Sequence, residues 1–161
     1  MLYRVKQFFH GITAKLTSED ISFIDNFLDI KEKDLFFMLP EYEQAHSIRV
    51  ARRVLEESVK REAYSDMLMK AALLHDIGKI NSGLNLITKS IMVILNKLFP
   101  KYLYKLNGIK FVNAFYNHPE LALGYLMDEE EEVKFLILNH HNYYIKCNEG
   151  LEILQLADSE N

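Results

Sequence analysis

The sequence contains one cysteine, three prolines and six glycines in 161 residues. The single thiol, Cys147, closes no disulfide within the chain, so nothing in the composition demands an oxidising compartment and a cytoplasmic location is expected. Long apolar runs are missing too. Uncharged stretches such as Ser90–Asn96 and Leu121–Met127 fall far short of the roughly 20 residues that span a bilayer. The opening MLYRVKQFFH has neither the apolar centre nor the small-residue cleavage site of an export signal, and reads instead as a basic amphipathic helix. No segment is rich enough in Gly, Ser or Pro to act as a linker, and no repeat is visible, so one structural domain is expected. An excess of basic charge is also absent. The 19 Lys and Arg against 23 Asp and Glu give a formal charge of −4. No general attraction to membranes and no stable nucleic-acid complex are therefore expected, and any basic surface has to be local.

What remains is ordinary globular material, 49% apolar and 26% charged, in a chain long enough to bury about two-thirds of its unfolded surface. With so few breaks, apolar residues recur every three or four positions far more often than every second one, which predicts an all-α, bundle-like domain. The spacing places helices at about 2–15, 18–29, 31–38, 41–59, 65–77, 84–98, 101–106, 118–127, 129–142 and 149–158. Residues 1–40 then form N-terminal helices packing on a core domain over 41–161. Ser18 before Glu19 and Asp20, and Ser65 before Asp66, suit helix N-termini. Asn117 or His118 suits the cap of a helix whose first turn holds Pro119 and Glu120. Between Asp76 and Glu120 there is no acidic residue, while Lys79, Lys89, Lys97, Lys101, Lys105 and Lys110 all lie there. That segment is locally cationic. The acidic run Asp128–Glu132 lacks the spaced ligands and glycine of a calcium loop and reads as a helix N-terminus.

Five of the six histidines and two aspartates fall where helical spacing carries them toward the interior. His46 shares a face with Tyr42, Val50 and Val54, at i and i+4 spacing. His75 ends the stripe Leu68, Ala71, Ala72 and is followed by Asp76, at a helix end that Gly78 lets the chain leave. Asp158 continues the face of Leu151 and Leu154, and His140 completes that of Val133, Leu136 and Ile137. His141 is rotated about 100° away from His140 on a continuous helix. His118 stands at a helix start. Any one of these is most simply a hydrogen-bonded core residue. Together they are costly, because mutual hydrogen bonds satisfy only part of their donors and acceptors. A divalent cation satisfies them all, and imidazole with carboxylate suits Mn, Fe, Ni, Zn or Mg, with two ions accommodated if one carboxylate bridges.

These residues, in HSIRVA, LLHDIGKI, NHPELALGYL, ILNHHNYY and LQLADSEN, resemble the HD-domain superfamily of helical, metal-dependent phosphohydrolases, HDIG type. The resemblance implies that His46, His75, Asp76 and Asp158 bind a first metal, with Asp76 bridging, and that His118 and His140 bind a second. It implies catalytic roles for Asp76 and Lys79, with Lys79 also placed against phosphate. Arg49 is a candidate for a supporting ion pair or for an anionic substrate, His141 for phosphate, and Tyr143 or Tyr144 for stacking on a base. NYYIKCNEG after the double histidine lacks the Gly-Tyr-Pro element of the cyclic di-GMP phosphodiesterases, so that substrate is not assigned. The expected activity is hydrolysis of a phosphomonoester, phosphodiester or nucleoside polyphosphate, a nucleotide foremost, by water activated on two divalent ions (Mn, Fe, Ni or Mg). Two rivals fit the same ligands: a di-iron oxygenase, and a non-catalytic nucleotide-sensing or partner-binding module.

Overall fold

The computed structural model describes residues 15–161; the helix expected at the start of the chain lies outside them. The described residues are helical, without strands. α1 (Ser18–Asp25) is capped one residue earlier than Ser18, the expected cap: the Thr17 hydroxyl accepts from Asp20 N–H while Asp20 reaches back to Thr17 N–H, a reciprocal capping box. The expected helix over 18–29 stops early because Asp29 starts a second capping box with Glu32 and opens α2 (Ile30–Phe37). α3 (Glu41–Lys60) carries the longest amphipathic stripe, and α4 (Asp66–Leu74) starts on the Ser65 hydroxyl as expected. A 3₁₀ turn, Ile77–Lys79, follows. α5 (Leu86–Leu98) is capped by Asn85 and α6 (Pro100–Tyr104) is a single turn and a half.

α7 (Lys110–Leu123) corrects the expectation of a helix beginning at 118: the chain is already helical from Lys110, and Asn117 (φ −117°, ψ 18°) kinks it. The cause is Pro119, which has no N–H to give the preceding turn and crowds it. α8 (Glu131–Asn139) and α9 (Glu149–Glu160, capped by Asn148) complete the order. Of the acidic run, Glu131 and Glu132 occupy the first turn of α8, whereas Glu129 and Glu130 turn to Lys70 of α4.

Two cores form. The larger joins α1 to α4, α8 and α9 through residues such as Ile24, Phe36, Val50, Val54, Leu73, Ile137 and Leu154, and takes in Ala122 from the second half of α7. The smaller, Leu84, Met92, Leu103, Val112 and Ala114, gathers α5, α6 and the first half of α7. The α7 kink therefore lies where the helix passes from one core to the other. Among the described residues no helix is long and apolar enough to cross a membrane.

Candidate metal centre

Seven side chains from five parts of the chain meet beside the larger core. His46 projects from α3. His75 and Asp76 follow the last residue of α4, His118 follows the kink of α7, His140 and His141 follow α8, and Asp158 comes from the last turns of α9. His75, Asp76, His118 and His140 are buried. Among the described residues, three donor groupings have ligand atoms within 4.8 Å of one another: His46 with His75 and Asp76, His75 with His140 and Asp158, and His118 with His140 and His141.

The imidazoles are oriented in one way. His75 Nδ1 lies 2.9 Å from Ala72 O, His118 Nδ1 3.2 Å from Ala114 O, and His140 Nδ1 2.6 Å from Ile137 O. Each Nδ1–H thus donates to a carbonyl of the preceding turn, which fixes the tautomer and leaves the Nε2 lone pair facing the site. That is how metal-ligating histidines are usually held. The Nε2 atoms then have too few protons to share. His75 Nε2 is buried with no hydrogen-bond partner among the described residues. His118 Nε2 and His140 Nε2 face each other at 3.2 Å, lone pair toward lone pair when both rings are neutral. A buried acceptor left this way is costly, and a cation among the lone pairs removes the cost. The donor set therefore fits divalent metal.

The carboxylates complete the ring. Asp158 Oδ1 is 3.1 Å from His46 Nε2 and 3.7 Å from His75 Nε2. Asp76 turns Oδ2 toward His75 at 3.5 Å and His46 at 3.8 Å, and Oδ1 toward His118 at 3.3 Å. Its two oxygens thus face different groups of histidines, the disposition a bridging carboxylate needs. Burial by itself raises an aspartate, yet both stay well below the ordinary carboxylate range. Lys79, His75 and His118 hold Asp76 down, and the His46 hydrogen bond and His75 hold Asp158 down. The imidazoles are lowered as well, but by burial itself. Burial is the main cause for His46, His118, His140 and His141, and His140 falls to about 3. They are neutral at pH 7, as ligation requires.

Lys79 Nζ lies 2.5 Å from Asp76 Oδ2 and 3.6 Å from Glu43 Oε1. Glu43 is fully buried and also receives Lys89 Nζ at 2.8 and 3.0 Å. Lys89, Glu43, Lys79 and Asp76 thus form a chain of alternating charge leading from α5 into the site. Sequence reasoning missed Glu43, although it stands three residues before His46 on the same helix, in line with buried Ser47, Val50 and Val54. Gly78 sits in the 3₁₀ turn for a reason other than leaving the helix: a Cβ there would overlap His118 O and lie 2.8 Å from Ala122 N.

Other expected site residues are placed variously. His141 is not turned away from His140. Its ring centre is 4.0 Å from that of His140 and its Nδ1 3.8 Å from Asp158 Oδ2. α8 ends at Asn139, so helical rotation no longer separates the pair. Arg49 is half-buried one turn beyond His46 on α3. Tyr143 is close enough to Asp158 for that charge to raise its hydroxyl, after burial. Tyr144 is 96% exposed, so it packs against nothing in the site. Gln155, also missed, donates from Nε2 to Asn139 O at 3.2 Å and Asn142 O at 3.1 Å, tying the double-histidine turn to α9. The last turn of α9 is itself held to α3 by Arg53–Glu160 at 2.8 Å.

Comparison with curated proteins and with solved structures finds no match. The family model described as HD domain matches residues 44–160, a span that contains every side chain of this cluster. The chain belongs to the HD-domain family.

Proposed function

We propose that the protein is a metal-dependent phosphohydrolase acting on a small phosphorylated substrate, a nucleotide foremost. The observation that carries this reading is the set of Nε2 lone pairs aimed inward with no proton to meet them, His75 Nε2 foremost, beside two carboxylates held ionised. His46, His75, Asp76 and Asp158 would hold one divalent ion and His118 and His140 a second, with Asp76 shared and His141 in reach of the second group. When bound, such ions lower the pKa of a water and neutralise charge on phosphoryl oxygens. The chain's own groups do the rest. Burial lowers the Lys79 ammonium, but Asp76 and Glu43 outweigh it and keep the group charged, a fixed positive charge next to the aspartate where phosphate would sit. His141, half-exposed at the mouth, and Arg49 are the further phosphate contacts in this reading, and Tyr143 rather than Tyr144 is the base-stacking candidate. Of the expected N-terminal segment, residues 15–40 serve as a buttress to the domain over 41–161: Ile24, Leu28 and Phe36 enter the same core as α3 and α4. A cytoplasmic setting accords with the lone, exposed Cys147.

The test is turnover by manganese- or iron-loaded protein on a panel of nucleoside mono-, di- and polyphosphates and cyclic dinucleotides. Release of phosphate or nucleotide, abolished in Asp76→Ala, is the expected result. Turnover surviving in Asp76→Ala overturns the mechanism, oxygen uptake without hydrolysis assigns the di-iron rival, and tight nucleotide binding without product assigns the sensor.

A further inference from the structure

α5 has apolar residues on both sides. Met92 is buried in the smaller core and Asn96 accepts from the Tyr116 hydroxyl at 2.6 Å, so that side faces the protein. On the other side Ile87, Ile91, Ile94, Leu95 and Leu98 follow one another at helical spacing and remain in solvent, with Ile87 65% and Leu98 61% exposed. The helix is 13 residues long, so the stripe runs about 20 Å. Phe99 and Tyr102 extend it past the helix end, Tyr102 at 71% exposure. Apolar surface of this continuity that no other described residue covers is uncommon on a protein without a partner.

Charge indicates what covers it. From residue 77 to residue 119 there is no acidic side chain. Lys97 on α5, Lys101 on α6, Lys105 just past its end and Lys110 at the start of α7 are all exposed, with Lys105 Nζ set 5.8 Å from the Tyr102 ring. A second copy of the chain meeting this face across a two-fold axis would bring lysines against lysines. A nucleic acid would gain nothing from a stripe of isoleucine and leucine. An apolar face bordered by lysines, with aromatics at its end, matches the chemistry of a lipid surface with anionic headgroups: the stripe enters the acyl boundary, the lysine stems lie along it, and their ammonium groups reach the headgroups.

We propose that the α5–α6 face docks the protein onto anionic membrane surfaces, lying on them without crossing. The formal charge of −4 is a sum over the whole chain and conceals this one face. Docking is separate from the hydrolase reading, since it needs neither metal nor turnover. It is linked to the site structurally, because α5 also supplies Lys89 to Glu43.

The experiment is flotation of the full chain with vesicles of phosphatidylcholine alone and of phosphatidylcholine with 30% phosphatidylglycerol, at low and high salt. Binding to the anionic vesicles, absent on the neutral ones and weakened by salt, is expected. Lys97→Glu with Lys101→Glu should lower the partition coefficient by at least about 25-fold, about fivefold for each lysine lost. Ile91→Asp with Leu98→Asp should lower it more than about tenfold. All four positions are exposed, and an unchanged melting temperature shows that each variant is folded. No binding to anionic vesicles, or binding that both variants retain, overturns the proposal. A dimer in light scattering that the Ile91/Leu98 variant dissolves, or retention on polyglutamate without vesicle binding, overturns it in favour of self-association or an acidic protein partner.

Discussion

The carbonyl oxygen of His118 occupies the space in which a side chain at position 78 would begin. Only glycine lets the 3₁₀ turn behind His75 and Asp76 lie this close to α7, and this contact sets the second group of histidines against the first. Gly78→Ala must push the two backbones apart, at a cost of about 1–3 kcal/mol. It should also weaken metal binding beyond that stability loss, read as a lower melting temperature together with reduced ion uptake in calorimetry. A variant that melts lower but takes up metal normally would show that the close approach serves packing alone.

Metal should stabilise the fold. At an ion concentration about 100 times the dissociation constant, linkage supplies about 2.7 kcal/mol, which for a chain of this size is a melting shift of about 5–10 °C. Manganese or iron is expected to raise the midpoint by that amount and a chelator to reverse it. His75→Ala should remove most of the shift, and a metal-indifferent midpoint would count against the centre.

The buried imidazoles set the acid limb of stability. His140 falls from 6.5 to about 3 on folding, and His118 and His46 are lowered as well. Between those values the unfolded chain binds more protons than the native one, so stability rises with pH there. Their contribution is complete above about pH 6.5 and is lost as pH falls toward 3. Asp76 and Asp158, also lowered on folding, add a loss of the same sign below about pH 4. Melting of metal-free protein from pH 7.5 to 4.5 should show a steady fall, and a flat profile contradicts the burial.

Glu43 is expected to matter more than Lys89, its partner on α5. Glu43→Gln leaves Lys79 and Lys89 without their shared carboxylate, and breaking a buried pair from one side costs on the order of 3 kcal/mol. Lys89→Met leaves Glu43 with Lys79 at 3.6 Å and should cost less. Denaturant midpoints of the two variants decide the order.

Gln155→Ala removes two hydrogen bonds to the turn carrying His140 and His141. A loss of about 1–3 kcal/mol, with faster amide exchange confined to that turn, is expected. An unchanged exchange pattern would assign the turn's order to something other than Gln155.

The sequence made His46, His75, Asp76, His140 and Asp158 legible because each lies on, or just past, a helix whose apolar stripe points at the core. What it could not show arises where helical rules stop applying. His141 joins the cluster because α8 ends one residue before His140. The first half of α7 was missed because Pro119 reads as a helix start, and only the packing of Val112 and Ala114 in a second core shows the chain already helical before it. Glu43 is a charged residue on a buried stripe, and its partners Lys79 and Lys89 lie far along the chain, so helical periodicity gives no sign of them. The exposed stripe of α5 was hidden differently: periodicity marks a face as apolar but not whether anything covers it.

Pinning three imidazoles through Nδ1 to their own preceding turns has a consequence for ion exchange. The rotational freedom of these rings is surrendered while the chain folds, not when an ion arrives, so their Nε2 atoms are already aimed at the site. Capture and release should then be governed by access and by the ion's own hydration, and different divalent ions should enter one rigid mould in turn without remodelling it.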